Sequence, residues 1–122
     1  MNWYKLAQST QSKQIKPLLN KLQQIYPGLI VSAQEYDNYI IIFNIELPRK
    51  ERRQGKGSEI IKSIQNYAGN KNKFILLHPI ADTSFYSQLG FTKVPPEKRY
   101  DPDSPLFSPA NEFWYWSNNE LV

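Results

Sequence analysis

Residues 52–57, Arg52-Arg53-Gln54-Gly55-Lys56-Gly57, set two glycines among cationic and polar side chains, directly before Ser58 and a run of helical periodicity. That order suits the capture of a pyrophosphate. Glycines let the backbone approach an anion closely, and the first turn of a helix presents N–H groups without intrahelical acceptors together with the positive end of its dipole. The dipole contributes only about 0.3–1 kcal/mol at an exposed site, so Arg52, Arg53 and Lys56 are expected to add charge-assisted contacts. Two other glycine motifs do not fit these residues. A P-loop needs a glycine five positions before Gly57 and a lysine after it, where Ser58 stands, and the dinucleotide fingerprint needs glycine at Ile60.

The elements around this turn can be read from periodicity. Ile15, Leu18, Leu19, Leu22, Ile25 and Tyr26 recur at three- and four-residue spacing, predicting a helix from about Thr10 or Ser12 to Tyr26. Pro17, tolerated only in a first turn, moves the expected start to about Lys16, and Pro27-Gly28 ends the helix. Leu29–Glu35 and Tyr39–Leu47 read as strands of an antiparallel hairpin turning at Tyr36-Asp37-Asn38. After the glycine turn, Ile60, Ile61, Ile64, Tyr67 and Ala68 mark one face of a helix over about Gly57–Ala68, with Gly69-Asn70 as its expected stop. Lys73–His78 has strand length, and Asp82–Leu89 reads as a short helix with Asp82 or Thr83 as N-cap. A strand–helix–strand crossover makes a parallel pair, so the sheet is expected to be mixed, of α/β (α+β) class. Phe91–Val94 is a further candidate strand. Pro95, Pro96, Pro102, Pro105 and Pro109 predict a loop, which could cover a substrate cleft, and Phe113–Trp116 reads as a closing strand of mainly core residues.

Composition narrows the classes. A chain of 122 residues with 40% apolar side chains and no repeat or linker is expected to form one domain over 1–122. Its longest apolar run, Tyr39 to Phe43, is far too short to span a membrane, and its first residues lack a signal peptide's apolar region, which together predict a cytoplasmic protein. Without cysteine there is no disulfide or thiol chemistry, and with a single histidine a transition-metal site is not expected. The net charge of +4 raises nucleic acid as a partner, but five of the fifteen basic residues (Arg49, Lys50, Arg52, Arg53, Lys56) crowd around the glycines, so the charge is local.

The pattern [RQ]-x-x-G-x-[GA] at Arg52–Gly57, lying between a strand and an amphipathic helix, resembles the acetyl-CoA-binding motif of the GNAT superfamily of N-acetyltransferases. Further along, Phe85-Tyr86-Ser87-Gln88-Leu89-Gly90-Phe91 is similar to that superfamily's second signature, an aromatic helix ending in Leu-Gly-Phe. The resemblance covers about Tyr39 to Trp116. It implies a splayed mixed sheet flanked by helices, with acetyl-CoA as acyl donor and an amine, small or on a protein, as acceptor. It places the pyrophosphate at Arg52, Arg53, Gln54, Gly55, Lys56, Gly57 and Ser58, and the pantetheine arm against Ile45, Glu46 and Leu47. Three departures stand out. Pro48 lies one residue farther from Arg52 than is usual, Pro79 stands near the place of a frequent asparagine, and one clear helix precedes the hairpin where the family commonly has two.

Transfer to an amine requires that the amine be neutral, and a lysine-like pKa of ~10.4 makes that state rarer at pH 7 by roughly 4–5 kcal/mol. A base or desolvation must supply much of this. Glu46, at the end of the strand expected to carry the thioester, is the first candidate base; its other reading is an edge carboxylate paired with Arg49 or Lys50. His78 is the rival. Tyr86 matches the family's tyrosine that hydrogen-bonds the leaving thiolate and so is the candidate acid; its other reading is packing beside Phe85 and Phe91. A non-catalytic acyl-CoA-binding regulatory or interaction module is the alternative function.

Overall fold

The computed structural model describes residues 11–12, 14–51, 55–78, 83–104, 106–110 and 112–118. Among them the chain runs β1 (Gln11–Ser12), α1 (Lys16–Ile25), β2 (Ile30–Tyr36), β3 (Tyr39–Glu46), a 3-10 turn (Arg49–Glu51), α2 (Lys56–Asn70), β4 (Phe74–Leu77), α3 (Thr83–Gln88), β5 (Thr92–Lys93), α4 (Pro96–Arg99) and β6 (Trp114–Trp116). The strands make a six-stranded sheet in the order β1-β2-β3-β4-β6-β5. β2 and β3 form the expected antiparallel hairpin, and β3 and β4 pair in parallel across the α2 crossover. The remaining pairs are antiparallel, so the sheet is mixed as its connections require.

Strand alternation divides the core in two. On the inner face Ile40, Ile42, Ile75 and Leu77 pack with Leu22 of α1 and with Ile60, Ile61, Ile64 and Ala68 of α2. Each fully buried side chain of this kind stabilises the fold by roughly 1.5–3 kcal/mol. On the outer face Tyr39, Phe74 and Leu76 pack with Val94, Leu106 and Phe113. β6 serves both clusters, with Trp114 and Trp116 inward and Tyr115 outward.

α1 starts at Lys16, as Pro17 in its first turn leads one to expect. Several expectations are corrected. The segment before α1 holds a short edge strand, β1, paired to β2. Gly69-Asn70 does not stop α2, because the helix end is set further on. Asn72 takes the left-handed conformation (φ 56°) and the Lys73 N–H returns to Ala68 O at 2.9 Å. Gly69 instead lets the C-terminal strand come close: a Cβ there would lie 3.0 Å from Asn118 Nδ2 and 3.7 Å from Trp116. The proline-rich stretch is more than a loop. It contains α4 and is tied by Arg99, whose Nε donates to Ser108 O at 2.9 Å, and it plugs the outer face with buried Ser104, Leu106 and Ser108. The expected N-cap Asp82 lies outside the described residues.

Candidate active site

β3 carries the first feature of the site. Ser32 pairs with Asn44 but Ala33 pairs with Ile42, so Phe43 is an extra residue, a β-bulge. The bulge re-phases the strand. Ile40 and Ile42 point inward before it, whereas Ile45 and Leu47 pack inward after it, which turns Asn44 and Glu46 to the outer face. Without the extra residue Glu46 would point into the core. The parallel ladder to β4 ends at the same place, with Ile42 opposite Leu77, while β3 continues to Glu46. Residues Phe43–Glu46 thus lie beyond the β3–β4 ladder.

The strand then leads to the start of α2. Gly28 in the α1–β2 turn sets the exit from β3, since a Cβ there would lie 2.7 Å from Pro48 Cγ. Gly55 is the N-cap of α2 in the left-handed region (φ 77°), and the first helical bond runs from the Glu59 N–H to Gly55 O at 3.2 Å. No side chain caps this end. Among the described residues nothing lies within 4 Å of where a Gly55 Cβ would stand, and the first N–H groups of a helix have no intrahelical acceptor. An anion fits that end of the helix. Glu59, the one acidic residue of the first turn, accepts a hydrogen bond from Tyr26 OH at 2.6 Å, which ties its carboxylate to the end of α1 and raises the Tyr26 pKa.

Beneath the turn lies α3. A Cβ on Gly57 would lie 3.3 Å from Phe85 Cζ, so the aromatic helix packs directly against the first turn of α2. The end of α3 is a Schellman motif: Gly90 (φ 89°) donates to Ser87 O at 3.1 Å, and the Phe91 N–H donates to Tyr86 O at 3.1 Å. Phe91 also meets Tyr86 edge to face, with ring centroids 5.9 Å apart. Gln65, buried on α2, donates to the Leu89 carbonyl at 2.7 Å and binds the two helices together. These contacts fix the half-buried Tyr86 ring on the inner face, where burial pushes its phenol pKa up and keeps it protonated at neutral pH.

The placement of the expected residues is then plain. Ile45 and Leu47 face inward, Glu46 outward and exposed. Gly55, Lys56, Gly57 and Ser58 open α2, while Arg52, Arg53 and Gln54 lie outside the described residues. His78 follows β4 on the outer side, its ring edge to face with Phe113 at 5.7 Å. Glu46 forms no ion pair among the described residues; Glu112, before β6, pairs with Lys93 at 2.9 Å and Arg99 at 3.6 Å. The bulge at Phe43 and the Phe85–Gly57 contact were not anticipated. Tyr39 to Phe43 is a continuous apolar run without phase, so only the register of β2 reveals the extra residue.

No protein-family model matches this chain, and neither does any curated protein. Among solved structures, Ard1 from Thermoplasma volcanium is similar at a TM-score of 0.50 and 16% identity, over 86% of this chain and 80% of that one. The anti-CRISPR protein AcrVA5 is similar at 0.49 and 23%, over 74% and 90%. Naa50 from Arabidopsis thaliana, in complex with the bisubstrate analogue CoA-Ac-MVNAL, is similar at 0.48 and 12%, over 92% and 99%. At these identities the likeness is one of fold, and the fold of this chain is that of the GNAT acetyltransferases.

Proposed function

We propose that this chain, with its GNAT fold, is an acetyl-CoA-dependent N-acetyltransferase that passes an acetyl group to a primary amine by direct attack. One observation carries the reading: β3 runs on beyond its ladder to β4, and α2, the next helix of the crossover, opens on the left-handed Gly55 without a side-chain cap, with the aromatic helix packed against its first turn. An extended pantetheine arm would pair with the backbone of Ile45, Glu46 and Leu47, and the pyrophosphate would rest on Gly55, Lys56, Gly57 and Ser58 with Arg52, Arg53 and Gln54 alongside.

The two faces of the sheet divide the chemistry. Tyr86 lies on the packed inner face and Glu46 on the exposed outer face, so acid and base would approach the thioester from opposite sides. The amine nitrogen forms the C–N bond and the C–S bond breaks. Glu46 takes the proton that the amine loses, with His78 as the second group able to do so, and the Tyr86 hydroxyl supplies a proton to the departing sulfur. Burial holds the Tyr86 phenol in its protonated form at neutral pH, the form that can donate.

Purified protein mixed with acetyl-CoA and a panel of amines is expected to release free CoA thiol, and acetyl-CoA is expected to raise the melting temperature. Tyr86→Phe should keep the thermal shift and lower kcat, within the ~10²–10⁴-fold that general acid catalysis supplies. Unchanged kcat in that variant removes Tyr86 from the acid role. A thermal shift without transfer to any acceptor, the protein itself included, would instead identify an acyl-CoA-binding module.

A further inference from the structure

We propose that Tyr26 is a positioning residue for the cofactor, its hydroxyl holding the Glu59 carboxylate aside from the pyrophosphate seat at the start of α2. This deepens the transferase reading and rests on it.

A helix start that binds an anion gains from nearby cations, yet the first turn of α2 carries a carboxylate. Glu59 is the one acidic residue of that helix. Side chains on a helix lean toward its N-terminus, so an unheld Glu59 reaches back over the turn that Gly55 opens. There the same N–H groups and dipole that suit a phosphate attract the carboxylate, and its charge repels the phosphate. Left alone, Glu59 competes for the seat.

Tyr26 takes the competitor away. Its hydroxyl donates to Glu59 Oε2 at 2.6 Å, within the range of a charge-assisted bond. Of the two partners Tyr26 is the fixed one. Its N–H donates to Leu22 O at 2.8 Å, its carbonyl accepts from the Leu29 N–H at 3.0 Å, and its ring packs against the main cluster. Glu59 is exposed, so the hydroxyl rather than packing sets where its carboxylate lies. The post also stands beside the site: Gly28, two residues on, abuts Pro48 at the exit of β3. Tyr26 thus reaches α2 from a turn that is itself braced against the strand expected to hold the pantetheine arm.

The hydrogen bond could equally be a plain brace between α1 and α2, and removing the charge separates the two roles. The test measures acetyl-CoA dissociation constants by calorimetry for the wild-type chain, Tyr26→Phe, Glu59→Gln and the double variant. Tyr26→Phe removes the donor and keeps the packed ring, so the fold is kept, which melting temperatures check. It is expected to raise the dissociation constant about three- to fivefold, the scale of one charge at a helix end. Glu59→Gln is expected to bind at least as tightly as the wild type. The double variant is expected to match Glu59→Gln, because without the charge Tyr26 has nothing to hold aside. A brace gives the opposite pattern: Glu59→Gln weakens binding as Tyr26→Phe does, and the double variant shows no rescue. That pattern, or a Tyr26→Phe protein with the wild-type constant, overturns the positioning role while the cofactor reading stands. Failure of the wild type to bind acetyl-CoA overturns both together.

Discussion

The two ends of α2 are finished in opposite ways. At the C-terminal end the backbone and side chains close the helix together. Asn72 turns left-handed, Lys73 caps through its N–H, and the fully buried Glu35 accepts hydrogen bonds from Tyr67 OH and Lys73 Nζ, both at 2.7 Å, with Lys71 Nζ at 3.6 Å. Lys73 Nζ also donates to Tyr36 O at 2.7 Å, which fastens the β2–β3 turn to the same knot. At the N-terminal end Gly55 supplies no capping side chain, and among the described residues nothing lies within 4 Å of where its Cβ would stand. The contrast shows two ways of ending one helix. The Glu35 knot holds the far end, while the first turn is held from its sides, by Tyr26 through Glu59 and by Phe85 under Gly57.

Breaking the anchored end should have the largest effect. Glu35→Ala leaves Lys73, only 11% exposed, without its carboxylate, and stripping one partner from a buried pair costs about 3–5 kcal/mol. Urea unfolding measures the loss; a cost under about 1 kcal/mol would mean the pair behaves as a surface one. Acid should reproduce part of it. Burial pushes the Glu35 carboxyl up, but hydrogen bonds from Lys73 and Tyr67 and the charges of Lys73 and Lys71 outweigh it and hold the pKa below its ordinary value. A group whose folded pKa is depressed contributes stability that is full above the unfolded pKa and is lost as pH falls through the folded one. The wild type is therefore expected to lose stability as pH drops through and below the ordinary carboxylate range, and Glu35→Gln to lose less over the same interval.

At the open end the stability cost is smaller and the functional one decisive. Gly55 holds φ 77°, and a side chain in the left-handed region costs roughly 1–2 kcal/mol. Gly55→Ala and Gly55→Glu should both show that cost in unfolding. Only Gly55→Glu places a negative charge where the pyrophosphate would lie, so it should abolish the acetyl-CoA thermal shift while Gly55→Ala weakens it. A Gly55→Glu protein that binds acetyl-CoA like the wild type would falsify the assignment of this turn to the pyrophosphate.

The open end was far more legible in the sequence than the anchored one, for a physical reason. Gly55 and Gly57 act through backbone geometry, which is local, and Leu89-Gly90-Phe91 states its own Schellman turn within three residues. The hairpin, the parallel crossover and the α1 start at Lys16, set by Pro17, follow from equally local rules. Glu35 meets Tyr67, Lys71 and Lys73 only after the sheet has assembled, so no spacing announces it. Gly69 reads as a helix stop because its type favours one, yet the close approach of Asn118 and Trp116 is what requires the missing side chain. The outer-face plug was hidden likewise: prolines signal the absence of regular structure, and Leu106 buries itself without any.

The smallest expected effect tests how the open end is supported. Gly57 lies inside the first turn of α2, where alanine is favoured over glycine by about 1 kcal/mol. Its new Cβ would stand 3.3 Å from Phe85 Cζ, so the ring must shift by a few tenths of an ångström. Gly57→Ala should then be close to neutral, helix propensity offsetting the displaced ring. In a Phe85→Leu background the obstacle is gone, and the same substitution should stabilise by up to about 1 kcal/mol. Unfolding of the four proteins gives the coupling directly. An equal gain in both backgrounds would show that Phe85 does not bear on the turn.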